Sequence, residues 1–402
     1  MASAWVGGVG LTAFGRSGRG PESLAVEAVA AALADAGIGP AAVGQVFCGN
    51  AAAGLLTGQE MIRGQVFLAD AGLPGVPFVN VENACASSST AFSLAVTAVL
   101  AGLVDVALAV GVEQMAVADK ARIFGALAAG TDTVRRPEMR AIVGALTMGE
   151  PFGGVALSAS VFMDHYADKA IRYLKDSGGD AADLARVVVK SRAFAASNPA
   201  AQLRAPTTVD EVLAGRMIAD PLRLAMCAPI GDGAAAVVVM SDDAARLYGR
   251  RVVRVAGLGM TSADPAAALP PATRAARAAF EAAGVGPADI DVIEVHDAAA
   301  PAELLCLEEI GVCRPGEALG LLRDGVTGPG GRQPVNTGGG LLSRGHPVGA
   351  TGCAQLVELT NQLHGRAGAL VPGARLALAQ NSGGVLGDHE AVAVVTILER
   401  VG

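Results

Sequence analysis

The chain has 402 residues, of which 52% are hydrophobic and only 17% charged, and its formal net charge is −8. A sequence of this length and hydrophobic content predicts two domains or one large layered unit. Aromatic residues make up 3%, and no Lys/Arg run is longer than a pair such as Arg135-Arg136, so a nucleic acid partner is excluded from the expectations. An anionic ligand would have to be bound by local positive groups.

The first elements alternate between strand and helix patterns. A strand is predicted from Ala4 to Val9, a helix from Pro21 to Ala36, and a strand from Gln45 to Cys48. This alternation favours an α/β architecture. The opening lacks the features of a signal peptide, and the six cysteines form no CxxC pair, so a cytoplasmic location is expected.

The stretch around Cys85 carries the first chemical signal. An extended segment ends near Val81, a turn of small residues follows, and an apolar helix is predicted from Ser87 to Gly102. A thiol at a strand-to-helix junction lies near the positive end of the helix dipole, which predicts a lowered pKa and a nucleophilic thiolate. An inert core cysteine is the alternative that this position alone leaves open.

Two longer segments, the uncharged stretch at 84–104 and the irregular stretch at 116–220, bear on where this helix lies. Residues 84–104 are uncharged, but the Ser/Thr cluster and the lack of flanking basic residues favour a buried helix over a membrane span. Residues 116–220 show no single hydrophobic period, apart from a helix expected at 158–175. We call this segment the excursion and expect it to lie over the core, where long insertions often bind ligands.

The chain also repeats itself. Residues 36–49 (AGIGPAAVGQVFCG) align with residues 283–296 (AGVGPADIDVIEVH), each after an Ala-rich helix. The sequence therefore predicts two copies of one α/β unit, formed by residues 1–115 with 221–245 and by residues 246–402. If the copies pack about a pseudo-two-fold axis, the N-termini of their central helices bring Cys85 and His346 to a shared site.

Four motifs together resemble the thiolase superfamily, nearest to its sterol-carrier-protein-linked and archaeal branch. They are Asn-Ala-Cys85-Ala-Ser-Ser, Glu-Val-His296-Asp-Ala-Ala, Gly-Gly-Leu-Leu-Ser-Arg-Gly-His346-Pro-Val-Gly-Ala-Thr-Gly and Gln-Asn381-Ser-Gly383-Gly384. The resemblance implies a five-layered α-β-α-β-α fold from two repeated halves plus a loop domain. It also implies a homodimer or homotetramer that uses coenzyme A thioesters as substrates, with no permanently bound cofactor and no metal.

The resemblance also implies roles for individual residues. Cys85 matches the nucleophile that holds the acyl group, a task that suits a soft thiol attacking a thioester. His346 matches the histidine that activates the cysteine, and His296 matches a residue that helps to bind an oxyanion. Gly383 and the N–H of Cys85 match a second oxyanion hole. For each histidine, a buried structural role is the alternative reading.

The chain departs from thiolases proper at the second catalytic cysteine. Asn381 and Ala298 occupy the two positions where that cysteine is found, and neither side chain can act as a general base. The remaining set of Cys85, His296 and His346 is similar to that of ketoacyl synthases, which make their nucleophile by decarboxylation. An already acidic carbon acid or a phenolic ring would serve equally well.

Weaker signals concern the pocket and the coenzyme. Ala298 and Ala299, in the motif that follows His296, are candidate pocket residues; Ala299 stands where the family usually has Phe, which predicts a wider acyl or acceptor pocket. His165, on the helix of the excursion, is a candidate pocket residue, with a surface histidine as the alternative. The arginines of the excursion, Arg122, Arg135 and Arg136, are candidates for binding the phosphates of coenzyme A.

These observations predict a thiolase-like C-acyltransferase that forms an acyl-enzyme on Cys85 from an acyl-CoA or acyl-carrier thioester. The acyl group would then pass to a carbon nucleophile. A lyase or aldolase is one alternative, although no Tyr stands at position 296 or 346 as the resemblance to such enzymes would require. A non-catalytic acyl- or lipid-binding subunit is another. A small OB-fold partner accompanies some relatives of this branch.

Overall fold

The structure is a computed structural model that describes residues 2–73, 75–148, 160–249 and 251–401. The strands of these residues are β1 (Trp5–Leu11), β2 (Gln45–Gly49), β3 (Phe78–Val81), β4 (Val106–Glu113), β5 (Met217–Ala219), β6 (Leu222–Arg223), β7 (Gly233–Met240), β8 (Val253–Ser262), β9 (Val292–Glu294), β10 (Leu376–Leu386) and β11 (His389–Arg400). Their α-helices are α1 (Pro21–Ala36), α2 (Ala53–Thr57), α3 (Arg63–Phe67), α4 (Ser87–Leu100), α5 (Lys120–Ala128), α6 (Pro137–Met148), α7 (Val161–Ser177), α8 (Ala181–Ala195), α9 (Val209–Ala214), α10 (Asp242–Tyr248), α11 (Pro271–Ala283), α12 (Ala300–Glu309), α13 (Ala318–Arg323) and α14 (Thr351–Leu363).

Nine of these strands pair in the order β3-β2-β4-β7-β1-β8-β11-β10-β9. Strands β3, β2 and β4 are parallel, as are β9 and β10, and the other neighbours are antiparallel. The first five strands come from the N-terminal half and the last four from the C-terminal half. Among the described residues, the strand ladders of the two halves meet at β1 and β8, where Trp5 pairs with Arg254 and Val6 with Val253.

Alternating side chains of these strands face different layers, because successive residues of a strand point to opposite sides of the sheet. In β4, Leu108 packs in the cluster that contains α1, whereas Ala107 packs in the central cluster with α4 and α14. In β10, Ala377 faces that same central cluster, and Leu378 packs with α11 and α12. The layers therefore run α-β-α-β-α, with α4 and α14 in the middle, which confirms the predicted fold.

The internal repeat is visible in the elements. Helix α1 ends at Gly37 (φ 68°), and a 3-10 turn (Pro40–Ala42) leads to β2. Helix α11 ends at Gly284 (φ 69°), and a 3-10 turn (Pro287–Asp289) leads to β9. Both glycines adopt the left-handed conformation that a side chain disfavours, which is why the two helices stop at corresponding positions.

The excursion from residue 116 to 220 is helical, whereas the sequence predicted a loop domain with a single clear helix. Helices α5 to α9 lie in it, and three of them begin at side-chain caps: Asp119, Asp180 and Thr208 accept hydrogen bonds from backbone N–H groups of the first turn. These caps are the local signal that the irregular hydrophobic pattern obscured. The predicted helix is α7; its expected first residues, 158 and 159, lie outside the described residues.

Helix α4 covers most of the uncharged stretch that raised the question of a membrane span. It is 14 residues long, and Gly102 (φ 69°) lies just beyond its end. Within the described ranges, no helix has both the length and the apolar character required to cross a bilayer.

Candidate active site

Three elements converge on one point of the molecule. Cys85 lies in a 3-10 turn (Ala84–Ala86) immediately before α4, and His346 lies just before the 3-10 turn (Val348–Ala350) that opens α14. His296 follows the carboxyl end of β9. The hydroxyl of Ser87 secures the cysteine turn, because it accepts the N–H of Asn83 at 3.0 Å and donates to the carbonyl of Ala84 at 2.7 Å.

The convergence is close enough for direct chemistry. The Sγ atom of Cys85 and ring nitrogens of His296 and His346 all lie within 4.8 Å of one another. The two imidazoles meet edge to face, with ring centroids 5.1 Å apart and planes at 81°. The packing of the two halves thus brings Cys85 and His346 together as the repeat predicted, and adds His296.

The hydrogen bonds of His346 fix its tautomer. The hydroxyl of Thr351 donates to the carbonyl of Pro347 at 3.0 Å, so its lone pair faces Nδ1 of His346 at 2.7 Å. A hydroxyl has one proton to donate, and with that proton directed to the carbonyl of Pro347 the imidazole proton is assigned to Nδ1. Burial and the neighbouring His296 and Arg344 hold the pKa of His346 well below its usual value, so the ring is neutral and its Nε2 is free to accept a proton.

The orientation of the Asn381 amide in this structure assigns the opposite tautomer to His296. The amide nitrogen of Asn381 contacts Nδ1 of His296 at 3.0 Å, while the amide oxygen accepts from the hydroxyl of Ser89 at 2.7 Å. An amide nitrogen can only donate, so Nδ1 accepts and the proton of His296 resides on Nε2. Burial lowers the pKa of His296 to about 4, which keeps the ring neutral. One imidazole is thus arranged as a base and the other as a donor.

The pKa of Cys85 is raised to about 12, whereas its position at a helix start predicted a lowered value. Burial is the main cause, because Cys85 packs against an apolar cluster that includes Met115, Ile123 and Val348. The buried carboxylate of Glu113 adds to the rise. Desolvation therefore outweighs the helix dipole, and Cys85 rests as a thiol, which would need a base in order to act as a nucleophile.

Backbone N–H groups also face the sulfur. Those of Cys85 itself and of Gly384 donate to the thiol, and they are the groups that lower its pKa. The sequence assigned the second donor to Gly383, one residue earlier. Gly383 does line the site, and a Cβ atom there would lie 2.2 Å from the carbonyl oxygen of Asn83, so only glycine fits.

A cavity of about 960 Å³ opens onto these residues. Helices α5 and α7 of the excursion form one wall through Phe124, Phe162, Met163 and His165. Its size is at the upper end of the range for small-molecule sites. Five basic side chains line it within the described part of the chain: Arg16, Lys120, Lys169, Arg192 and Arg216.

Comparisons with known proteins agree with this geometry. The family model described as "Thiolase, N-terminal domain" matches residues 8–243, and the one described as "Thiolase C-terminal domain-like" matches residues 257–400. The chain belongs to the thiolase family.

Relatives in the family include several acyltransferases. The chain is 34% identical to the benzoylsuccinyl-CoA thiolase subunit BbsB of Thauera aromatica, over 89% of this chain and 88% of that one. It is 36% identical to an acetyl-CoA acetyltransferase of Methanothermobacter thermautotrophicus, over 90% and 91%. A solved structure titled "Ltp2-ChsH2(DUF35) aldolase" superposes with a TM-score of 0.79 at 25% identity, covering 99% of this chain and 98% of that chain. The chain is thus an enzyme of the thiolase acyltransferase kind.

The three arginines predicted to bind coenzyme A do not line the cavity. Arg122 donates to the carbonyl of Leu55 at 2.8 Å, while Arg135 and Arg136 form ion pairs with the nearby Asp132 and Glu138. The prediction was wrong because the excursion is helical and turns these side chains elsewhere. Arg192 is the better candidate, since it lines the cavity and its Nε atom, like that of Arg122, is buried without a hydrogen-bond partner among the described residues.

Ala298 and Ala299, in the motif that follows His296, face opposite sides of the backbone. Ala298 lines the cavity, whereas Ala299 is fully buried in the outer core, where it pairs with Cys227. The backbone at Ala299 is extended (φ −144°, ψ 156°), and extended residues alternate in direction. The prediction that Ala299 widens the pocket was therefore wrong, and Ala298 takes that place. His165 lines the cavity, as expected for a pocket residue and not for the alternative of a surface histidine.

This difference predicts opposite effects of the same substitution at neighbouring positions. Ala298→Phe should shift the preference from bulky to short acyl groups, because the ring would occupy the cavity. Ala299→Phe should leave the preference unchanged and destabilise the fold by about 1–3 kcal/mol through overpacking. Acyl-CoA competition assays and urea unfolding of both variants measure these effects. A changed acyl preference in Ala299→Phe would contradict the assignment.

Sequence reasoning missed several residues of the site. Thr351 and Gly384 lie inside quoted motifs, and their polar or glycine character next to the catalytic candidates was the available signal. Arg192 and Arg216 come from the excursion and its edge, and no local pattern marks them. Their place depends on how α8 and the segment before β5 pack over the cavity.

Proposed function

We propose that the protein is a C-acyltransferase that forms an acyl-enzyme on Cys85 from a coenzyme A thioester and transfers the acyl group to a carbon nucleophile. The supporting observation is the site itself, in which a thiol and two neutral imidazoles of opposite tautomer lie within 4.8 Å of one another. That arrangement provides a nucleophile, a base and an oxyanion donor at one wall of a large cavity.

In the first half of the reaction, Sγ of Cys85 attacks the carbonyl carbon of the thioester, and its proton passes to Nε2 of His346. The resulting oxyanion is stabilised by the N–H groups of Cys85 and Gly384, which already face the sulfur. The carbon–sulfur bond to coenzyme A then breaks, and the leaving thiolate takes the proton back from His346. The products are free coenzyme A and acyl-Cys85.

In the second half, a carbanion or enolate attacks the carbonyl carbon of acyl-Cys85. A carbon–carbon bond forms, and the Cys85 sulfur leaves as a thiolate, whose uptake of a proton balances the one that the acceptor carbon lost when the carbanion formed. The Nε2–H of His296 is the proposed donor to the oxygen on which charge develops in the acceptor. In this tautomer Nε2 carries a proton even when the ring is neutral. The donor therefore does not depend on protonation of the imidazole, and it is present at all pH values at which the protein is folded.

The substrate class follows from the cavity. Its basic side chains supply the positive charge that the chain as a whole lacks, and coenzyme A presents phosphates that such groups bind. Arg192 and Arg216 are the proposed phosphate ligands. No permanently bound cofactor takes part in this scheme. An acyl-carrier thioester is the other donor that the same chemistry would accept.

The test is intact-protein mass after incubation with a panel of acetyl-, benzoyl-, palmitoyl- and malonyl-CoA. We expect a mass increase equal to one acyl group in the wild type and none in Cys85→Ala. Cys353→Ala is the matched control, because this thiol is buried beside α4 and donates to the carbonyl of Ser88; it should still be acylated. A persistent adduct in Cys85→Ala, or no adduct with any donor, would contradict the proposal.

A lyase is the second candidate, favoured by the similarity to a structure titled as an aldolase. Tyr166 lines the cavity, and burial raises its pKa well above the usual value, so its hydroxyl stays protonated and can donate. A lyase that works through such donors would not need a thiol. Cleavage activity that survives in Cys85→Ala would therefore favour this alternative, whereas its loss favours acyl transfer.

Assembly and location are parts of the same proposal. Strand β3 lies at the edge of the sheet with Val79 and Asn80 exposed, and an open edge of this kind favours pairing with a second copy in a homodimer. One relative is named as a subunit and one solved structure is titled with two components, which supports an additional small partner. The six cysteines are unpaired, and a reducing cytoplasm is the proposed location.

A further inference from the structure

A group of ionisable side chains lines a void beside His296 and takes no part in the acyl-transfer steps above. Nζ of Lys169 contacts Oε1 of Glu390 at 3.4 Å, and both side chains are largely buried, with 15% and 17% exposure. A small void of about 10 Å³, room for about one water molecule, is lined by these two residues together with His296, Tyr166 and Glu309.

Glu390 differs from every other residue of the cavity wall. Among the described residues that line the 960 Å³ cavity it is the single carboxylate, against five basic side chains. Its Oε1 faces Lys169, but its Oε2 is buried without a hydrogen-bond partner among the described residues. A buried acceptor atom with no donor costs free energy, so such an atom in a ligand cavity indicates a partner that arrives with the ligand.

The position of Glu390 relates it to the reaction. It shares both the void and the main cavity with His296, and its negative charge is the one that acts on the pKa of that imidazole. His296 is the proposed donor to the acceptor oxygen. A base for the acceptor must reach the carbon next to that same oxygen, which is the region between His296 and Glu390.

We propose that Glu390 is the general base that removes a proton from the acceptor carbon, in place of the second cysteine that Asn381 has replaced. This rests on the proposed function. The carboxylate takes the proton from a carbon next to a carbonyl, and the electron pair of that C–H bond becomes an enolate held by Nε2–H of His296. The enolate attacks acyl-Cys85, and in the reverse direction the protonated Glu390 returns the proton to the enolate that cleavage releases.

Lys169 positions this carboxylate. Its Nζ contacts Oε1, which leaves Oε2 of Glu390 as the oxygen without a hydrogen-bond partner among the described residues. Its neighbour Glu309 has a pKa raised to about 8 by burial and by the charge of Glu390. The cluster has the composition of an acid–base site and not of a simple surface ion pair.

Two other groups of the cavity wall are rivals for the same role. Cys227 is a thiol, but burial raises its pKa to about 12 and its Sγ donates to the carbonyl of Arg223. His165 lines the main cavity but not the void beside His296, and the same is true of Cys227. Glu390 lines both and keeps an acceptor atom without a partner among the described residues, and neither rival does.

The test follows α-proton exchange separately from acylation. Wild type, Glu390→Gln and Glu390→Asp are incubated in D₂O with acetyl-CoA, propanoyl-CoA and phenylacetyl-CoA, and deuterium in the acyl group is measured by mass spectrometry. We expect exchange in the wild type, a loss of about 10²-fold in Glu390→Gln, and a smaller loss in Glu390→Asp, which keeps the carboxylate but withdraws it by one methylene. The acyl adduct on Cys85 should form in all three proteins.

Glu399→Gln is the matched control, because Glu399 also lies on β11 and pairs with a basic side chain, Arg254, but away from the cavity. It should exchange at the wild-type rate. Wild-type exchange in both Glu390 variants, no exchange in the wild type with any of the three thioesters, or a loss in Cys227→Ala as large as that in Glu390→Gln would overturn the assignment. Failure of the acyl adduct in the wild type would instead refute the proposed function.

Discussion

His346→Ala is expected to slow acylation of Cys85 by up to about 10⁴-fold, the upper range for loss of a general base. The reason is the raised pKa of the nucleophile. A thiol with a pKa of about 12 is ionised in only about one molecule in 10⁵ at pH 7, so acylation depends on a base that removes the proton during attack. Quenched-flow intact mass, with the thioester that acylates the wild type fastest, measures the rate.

The pH dependence separates a catalytic role of His346 from a structural one. The wild-type rate should be nearly constant between pH 7 and 9, because the pKa of His346 lies well below 6.5 and the ring is already neutral. In His346→Ala, the rate should rise about tenfold per pH unit over the same interval, since the thiolate fraction rises in that proportion below its pKa.

His364 offers a matched control for this substitution. It follows the opposite end of α14, and burial lowers the pKa of its ring to about 4, as in the site histidines. His364→Ala should retain the wild-type acylation rate and its flat pH profile. A His346→Ala protein that acylates within tenfold of the wild type, or shows the same flat profile, would contradict the assignment of this residue as the base.

The architecture was predictable from the sequence because its signals are local. Gly37 and Gly284 end equivalent helices, and the two halves align residue by residue around them. Once the halves are paired, the starts of α4 and α14 must meet, which places Cys85 beside His346. The roles of these residues stay predictions, whereas their proximity is a property of the fold.

The electrostatics and the binding groups were not predictable in the same way. The sign of the pKa shift of Cys85 depends on burial by side chains such as Ile123 and Met115, which come from α5 and from the segment after β4. The basic lining of the cavity depends on the packing of the excursion. The opposite directions of the Ala298 and Ala299 side chains depend on the extended backbone of Ala299, just before α12. Each of these is a tertiary effect that no periodicity encodes.

The loss of the second catalytic cysteine has a structural consequence that the sequence concealed. Asn381 cannot act as a base, and the sequence therefore marked it as a missing function. In the structure its amide donates to His296 and its oxygen is held by Ser89. Asn381 thus orients the ring of His296, and in the proposed mechanism proton removal from the acceptor is left to another residue.

Asn381→Asp is expected to reduce the second half of the reaction by about 10²–10³-fold at pH 9, the loss typical of one oxyanion donor. A carboxylate at position 381 can only accept, so the neutral ring of His296 would move its proton to Nδ1 and leave Nε2 bare. Transfer from pre-formed acyl-Cys85 to the acceptor measures this step. Acylation itself should change little, since its oxyanion is bound by backbone N–H groups.

The loss in Asn381→Asp should shrink as the pH falls. An adjacent carboxylate raises the pKa of His296 from about 4, and below the new pKa both ring nitrogens carry protons, which restores a donor at Nε2. The wild type has no such dependence, because its Nε2–H is set by the amide. Asn361→Asp, the same change at the far end of α14, is the control and should leave transfer intact. A uniform loss at every pH would show that the charge only damages packing, and the tautomer argument would then fail.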